Sequence, residues 1–218
     1  MANTKAYAII AGVGPGTGAA IAKKFAKAYS VVLLARSTSS YASLAKEINE
    51  GGGNAIGVST DVSSAESIKN VLKEIDEKFG KEATCAAAIF NAAGKLVIKP
   101  FLEQTEESFL APFDVNCNLP RLLATASQSP KPTYPPTLIF TGATASLKSS
   151  ANFSSFAVSK FATRALAHSL TREFGPKGVH VAHAIIDGII DTPGTAGFMA
   201  DAGPDAKIDP ETVSCPTA

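Results

Sequence analysis

A doubly wound α/β domain built on one parallel sheet is the fold class this sequence predicts, and three observations carry it. Short apolar runs alternate with longer segments whose apolar residues recur at helical spacing. The runs themselves are continuous, which marks strands buried on both faces of a parallel sheet. A glycine-rich turn, Gly12-Val13-Gly14-Pro15-Gly16-Thr17-Gly18, joins the first run to the first helical segment. Strands alternating with helices of this length imply right-handed crossovers. No internal repeat and no second domain is visible.

The first strand is expected over Lys5–Gly12, with Tyr7, Ala8, Ile9 and Ile10 as its apolar run, and the first helix over Ala19–Tyr29. Between them the glycines at 12, 16 and 18 serve a tight turn, close backbone approach of a pyrophosphate, and close packing of helix on strand. The helix start presents unpaired N–H groups and the positive end of its dipole to a phosphate. With 17 glycines in 218 residues such a spacing can arise by chance. Its position decides the matter: strand before, helix after, at the head of the chain. The domain therefore reads as a Rossmann-like dinucleotide fold.

The second strand is Val31–Ala35, followed by a helix carrying Tyr41, Leu44, Ala45 and Ile48 and ended by Gly51-Gly52-Gly53. Ala55–Thr60 is the third strand. Ile68, Val71, Leu72, Ile75 and Phe79 form one stripe of the third helix, with Lys69, Lys73, Glu74 and Glu77 outward. Cys85–Asn91 is the fourth strand. Pro100–Ser127 reads as mostly helical with a break near Pro112, and Pro130–Pro136 as a loop. Thr137–Thr141 is the fifth strand, Ser154–Phe174 a long helix, and Val179–Ile186 the sixth strand.

Composition narrows the function. Hydrophobic content of 45% with 18% charged residues suits a folded soluble domain. A net charge of +1 offers no electrostatic case for nucleic acid or membrane binding. Cys85, Cys117 and Cys215 form no C-x-x-C pair, so no metal site is expected and a reducing, cytoplasmic setting fits. The chain shows no basic leader with an apolar run behind it, and no segment able to span a bilayer.

The motifs, in this order, resemble the short-chain dehydrogenase/reductase family over residues 5 to about 192. The resemblance implies that Gly12, Gly16, Thr17 and Gly18 cradle the cofactor. Asp61-Val62 resembles the pair that contacts the adenine. Asn91-Ala92-Ala93-Gly94 is similar to the N-[NA]-A-G turn that supports the adenosine ribose. Asn116 matches an asparagine that holds a catalytic water, and Lys160 the lysine of Y-x-x-x-K, which binds the nicotinamide ribose. Gly188 and Thr192 match the loop over the nicotinamide, where the threonine contacts its amide. An acidic residue at the end of the second strand would favour NAD, but that place holds Ala35 followed by Arg36. A guanidinium suits a 2′-phosphate, so NADP is expected before NAD, against the bland alternative of a solvated strand-end arginine.

Two of the family's catalytic positions depart from its pattern. Four residues before Lys160 stands Phe156, and the serine position holds Ala143. Tyrosines occur at 7, 29, 41 and 134, with Ala11, Leu33, Ala45 and Leu138 four residues on, so no other tyrosine fills the role. The missing phenol would protonate the alkoxide formed from a ketone, and the missing serine would stabilise it. Such an acid contributes about 10²–10⁴-fold and one oxyanion donor about 10²–10³-fold.

Three replacements are weighed. Thr144 and Ser146 follow Ala143, each either a substrate contact or a backbone cap. Ser155 is expected to point about 100° away from Phe156 around the helix. Asp187 stands where the family has proline; a partly buried carboxyl there would be a proton donor, and otherwise a loop aspartate bonded to backbone. His180 and His183 fall on opposite faces of a strand, which argues against a shared metal, and His168 is expected at the surface with Arg172.

Residues 1–192 are thus expected to form the NADP-binding domain, and 193–218 a substrate-loop remnant with an irregular tail. That tail lacks an apolar run for a seventh strand, which implies a six-stranded sheet or a shortened isoform of a longer product. Two functional readings stand beside the isoform. One is an NADP-dependent oxidoreductase of the short-chain type acting on an activated carbonyl, quinone or imine. The other is a silent NADP(H)-binding regulatory or scaffold protein. A small-molecule substrate is expected, and a homodimer through the helices at 100–127 and 154–174.

Overall fold

Alternate residues of a strand face opposite sides of a sheet, and from Tyr7 to Ala11 of the first strand both sets are buried. Tyr7, Ile9 and Ala11 belong to one core cluster and Ala8 and Ile10 to another. A strand apolar on both faces requires helices on both faces, and that is the architecture found. The computed structural model describes residues 3–117, 135–199, 201, 203 and 205–214. The strands are β1 (Asn3–Ala11), β2 (Tyr29–Ala35), β3 (Ala55–Ser59), β4 (Thr84–Phe90), β5 (Thr137–Ala143) and β6 (His180–Ile186). They form one sheet in the order β3-β2-β1-β4-β5-β6, every pair parallel.

The helices are α1 (Thr17–Ala26), α2 (Ala42–Glu50), α3 (Ala65–Phe79), α4 (Glu106–Cys117), α5 (Ser154–Phe174) and α6 (Pro210–Ser214). α1 and α2 cover one face through Ile21, Ala22, Leu44 and Ile48. α3 and α5 cover the other through Ile68, Val71, Ile75 and Ala167. Each fully buried Leu, Ile, Val or Phe contributes about 1.5–3 kcal/mol, so the two layers hold the sheet between them. Ser64 caps α3 by accepting a hydrogen bond from the Ser67 amide. No side chain caps α1, which leaves its first turn to a ligand.

Three expectations change. The first helix ends at Ala26, and Tyr29 instead opens β2, where it pairs with β1. α4 runs through Pro112 without the expected break. Proline there costs the Ser108 carbonyl its helical partner, but Pro112 is buried against Gly94, where an added Cβ would lie 3.0 Å from the proline Cβ. Packing therefore overrides propensity. The tail is not wholly irregular: Ile190 and Ile208 form an isolated parallel bridge, and α6 packs on α1. Among the described residues no seventh strand extends the sheet beyond β6. Residues 118–127 of the expected helical stretch and 130–134 of the expected loop lie outside the described residues. Among those described, no helix is long and apolar enough to cross a membrane.

The chain lays down β1, β2 and β3 in one direction and then returns to place β4 on the other side of β1. Neighbouring crossovers diverge at that reversal, and a crevice opens at the carboxyl ends of β1 and β4.

Candidate active site

The carboxyl end of β1 enters Gly12, whose φ of 94° lies in the left-handed region that favours glycine. The Gly12 and Val13 amides both donate to the Leu34 carbonyl, at 2.9 and 3.0 Å. A Cβ at Gly12 would collide with the Ala92 backbone. The Asn91 amide donates to the Ala11 carbonyl and its side-chain Nδ2 to the Gly12 carbonyl, at 2.8 and 3.0 Å. Asn91 thus ties the end of β4 to the glycine turn.

Two cavities meet at this turn. One, of about 750 Å³, lies over the ends of β2 and β3 and is lined by Gly12, Ala35, Arg36, Asp61, Val62 and Gly94, among others. Hydrogen bonds from the Ser63 hydroxyl and amide hold the Asp61 carboxyl below its usual range, and the Arg36 guanidinium adds to the effect. The second cavity, of about 710 Å³, lies over the ends of β5 and β6. Thr17, Gly18, Lys160, Gly188 and Thr192 are on its wall, and so are Ala143 and Phe156. Gly12, Gly14, Asn91 and Ala93 border both, so the two form one trough across the glycine turn.

α5 delivers Lys160 and Phe156 from adjacent turns of one face. Lys160 is 6% exposed, and its Nζ donates to the Thr141 carbonyl at 3.1 Å, 5.9 Å from the Phe156 ring centroid. Burial lowers its pKa to about 8, because the desolvated ammonium is disfavoured. The Asn116 Nδ2 donates to the Ser159 hydroxyl at 2.9 Å, and that hydroxyl donates to the Phe156 carbonyl at 2.8 Å. Asn116 is buried, borders neither cavity, and has a carbonyl oxygen that finds no hydrogen-bond partner among the described residues. It bonds to the helix residue preceding Lys160 and is not part of the wall.

The candidates beside the lost serine now separate. The Ser146 hydroxyl is fully buried and caps the turn by donating to the Ala143 carbonyl at 2.7 Å. Ser155 is buried away from both cavities. Thr144 does reach the second cavity, and its Oγ1 donates to Asp187 Oδ1 at 2.5 Å. Asp187 lines the same cavity but is exposed, so the partial burial expected for it is absent. Its partner is the side chain that follows the adjacent strand, beside it because Ala143 pairs with Ile186 in the sheet, and not the neighbouring backbone. His183 was not a candidate from the sequence beyond its spacing. Its ring packs over Gly142, and burial lowers its pKa first, with Lys160, Arg164 and His168 adding to that. Only the sheet register, which sets His183 beside Phe140, could have signalled this placement.

The arrangement has the parts a dinucleotide needs: an uncapped helix start, a glycine turn in which Gly12, Gly16 and Gly18 leave no room for a Cβ, and a buried ammonium at the far end. Residues 6–202 match the family described as short chain dehydrogenase. The chain belongs to the short-chain dehydrogenase/reductase family. An uncharacterized oxidoreductase of Methylorubrum extorquens is 30% identical over 203 residues, 90% of this chain and 79% of that protein. A 2,5-dichloro-2,5-cyclohexadiene-1,4-diol dehydrogenase of Sphingobium indicum is 28% identical over 92% of this chain and 80% of its own length. A short-chain dehydrogenase from Rhodopseudomonas palustris superposes with a TM-score of 0.71 at 32% identity, covering 96% of this chain and 88% of that one. In this short-chain dehydrogenase/reductase Ala143 and Phe156, which the motif resemblance sets at the family's serine and tyrosine positions, offer the cavity a methyl group and a phenyl ring. Neither can give or accept a proton.

Proposed function

We propose that the protein is an NADP-dependent oxidoreductase of the short-chain type whose hydride acceptor is an activated carbonyl, a quinone or an imine. The observation that carries this reading is a trough intact from Arg36 to Lys160 with an apolar wall where the proton donor belongs. Arg36 at the adenosine end suits a 2′-phosphate, which a guanidinium can bind through two N–H groups. The uncapped start of α1 faces the pyrophosphate, and Lys160 and Thr192 stand at the nicotinamide end. When bound there, the nicotinamide supplies hydride. The chain's own residues orient the ring and the acceptor, and orientation alone can lower a barrier by about 7–11 kcal/mol. Acceptors that become weak bases, or that start as cations, need no phenol.

The test pairs a binding titration with NADPH consumption over ketones, quinones, dicarbonyls and imines. NADPH should bind more tightly than NADH, and Arg36→Ala should erase most of the difference; a mutant that discriminates like the parent places the phosphate elsewhere. A second reading, a silent NADP(H)-binding protein, is favoured by the loss of both hydroxyls at 143 and 156. Tight NADPH binding with no turnover of any acceptor would select it.

A further inference from the structure

We infer that the second cavity takes a cationic nitrogen compound bearing an apolar group, an iminium or the amine it becomes, and that Asp187 recognises the charge. The inference rests on the reading above that this cavity holds the nicotinamide, and it narrows the acceptor to one class. Three phenyl rings, Phe153, Phe156 and Phe198, stand on the wall together with Leu96 and Ile189. The charged side chains that reach it are Lys160 and Asp187. The Lys160 ammonium is buried and turned to the Thr141 carbonyl. Asp187 is exposed to the cavity mouth, and among the described residues no cation pairs with it. Thr144 holds one oxygen of its carboxylate, which fixes the group and leaves the other oxygen for a ligand.

Aromatic faces attract a cation through their quadrupole, and a carboxylate beside them completes a site for an alkylated ammonium. An acceptor that builds negative charge on oxygen would meet the opposite: an anion nearby and no hydroxyl at 143 or 156. Hydride addition to an iminium carbon sends the C=N π pair to nitrogen and leaves a neutral amine, while NADPH is oxidised to NADP. No proton moves in that step; the amine takes one from water afterwards.

The charge on nitrogen fades during reduction and grows during amine oxidation. Only interactions stronger in the transition state than in the ground state speed a reaction. Asp187 therefore supplies affinity in the reductive direction and rate in the oxidative one. Thr144 is a positioning residue that acts through Asp187.

The decisive experiment begins without cofactor. The full chain is titrated calorimetrically with benzyltrimethylammonium and, as a neutral comparison, benzyl methyl ether. The cation should bind at least about tenfold more tightly. Asp187→Asn should remove most of that preference, Asp187→Glu should keep part of it, and Thr144→Val should weaken it less than Asp187→Asn does. With NADPH and a cyclic N-alkyl iminium, Asp187→Asn should raise KM about tenfold and leave kcat nearly unchanged. Equal binding of cation and ether, or a preference unaltered in Asp187→Asn, overturns the inference. Failure of the chain to bind NADPH would instead remove the oxidoreductase reading, and the ammonium titration would still judge the site.

Discussion

Lys160 carries a charge where the fold has least solvent to offer it. Burial lowers its pKa from 10.5 to about 8, so between those values the unfolded chain holds a proton that the folded chain has released. Stability therefore rises with pH across that window, and below about 8 the folded state bears the full cost of the buried ammonium, about 3 kcal/mol. Lys160→Met should flatten the rise, read as Tm against pH from 7 to 11 without cofactor, and should also weaken NADPH binding. A rise of unchanged slope in the mutant would assign the titration to another group. The two departures from the family make a second prediction. Phe156→Tyr with Ala143→Ser should raise ketone reduction by about 10²-fold or more, and either change alone should do much less, because both groups would act on one developing oxyanion. A double mutant with no gain on any ketone would mean that the cavity does not admit a carbonyl in reach of those positions.

Among the elements, α4 and α5 pack on each other and leave Leu110, Phe113, Val158 and Phe161 exposed. Four large apolar side chains on two adjacent helices are the kind of surface a second copy covers, and a homodimer through them is expected. Phe113→Glu with Phe161→Glu should shift the sedimentation coefficient from dimer to monomer with little loss of Tm; a parent chain that sediments as a monomer rejects the interface. What the sequence disclosed follows the range of the forces involved. α5 was readable to the residue because its length and the four-residue step from Phe156 to Lys160 are local properties of a helix. α4 misled because Pro112 is tolerated only through Gly94, eighteen positions earlier, and no local pattern carries that contact. The same holds for the site. Gly12 and Arg36 reach the trough because each sits just beyond a strand end. Asn116 bonds to Ser159 and Thr144 finds Asp187, both through contacts between segments far apart in the chain, whereas Ser146 turns back on the Ala143 carbonyl three residues earlier.

At the scale of the molecule, the sheet closes on one side with β3 and on the other with β6, and function gathers where the strand order reverses. After β6 the chain does not wander. Thr192 sets its methyl group against Gly16, where an added Cβ would lie 2.5 Å away. Lys207 donates to the Thr195 carbonyl at 3.0 Å and lies 3.6 Å from an Asp191 oxygen. α6 then comes to rest on α1. The described residues between Asp187 and Asp209 thus hang between two footings, one on the edge strand and the other on α1, the helix proposed to face the pyrophosphate. Such a span transmits load to its footings. A dinucleotide bound at the glycine turn as proposed would lie against Thr192, which touches Gly16, and Asp187 and Phe198 belong to the same span. On that reading, occupancy at one end of the trough and shape at the other would be mechanically one variable.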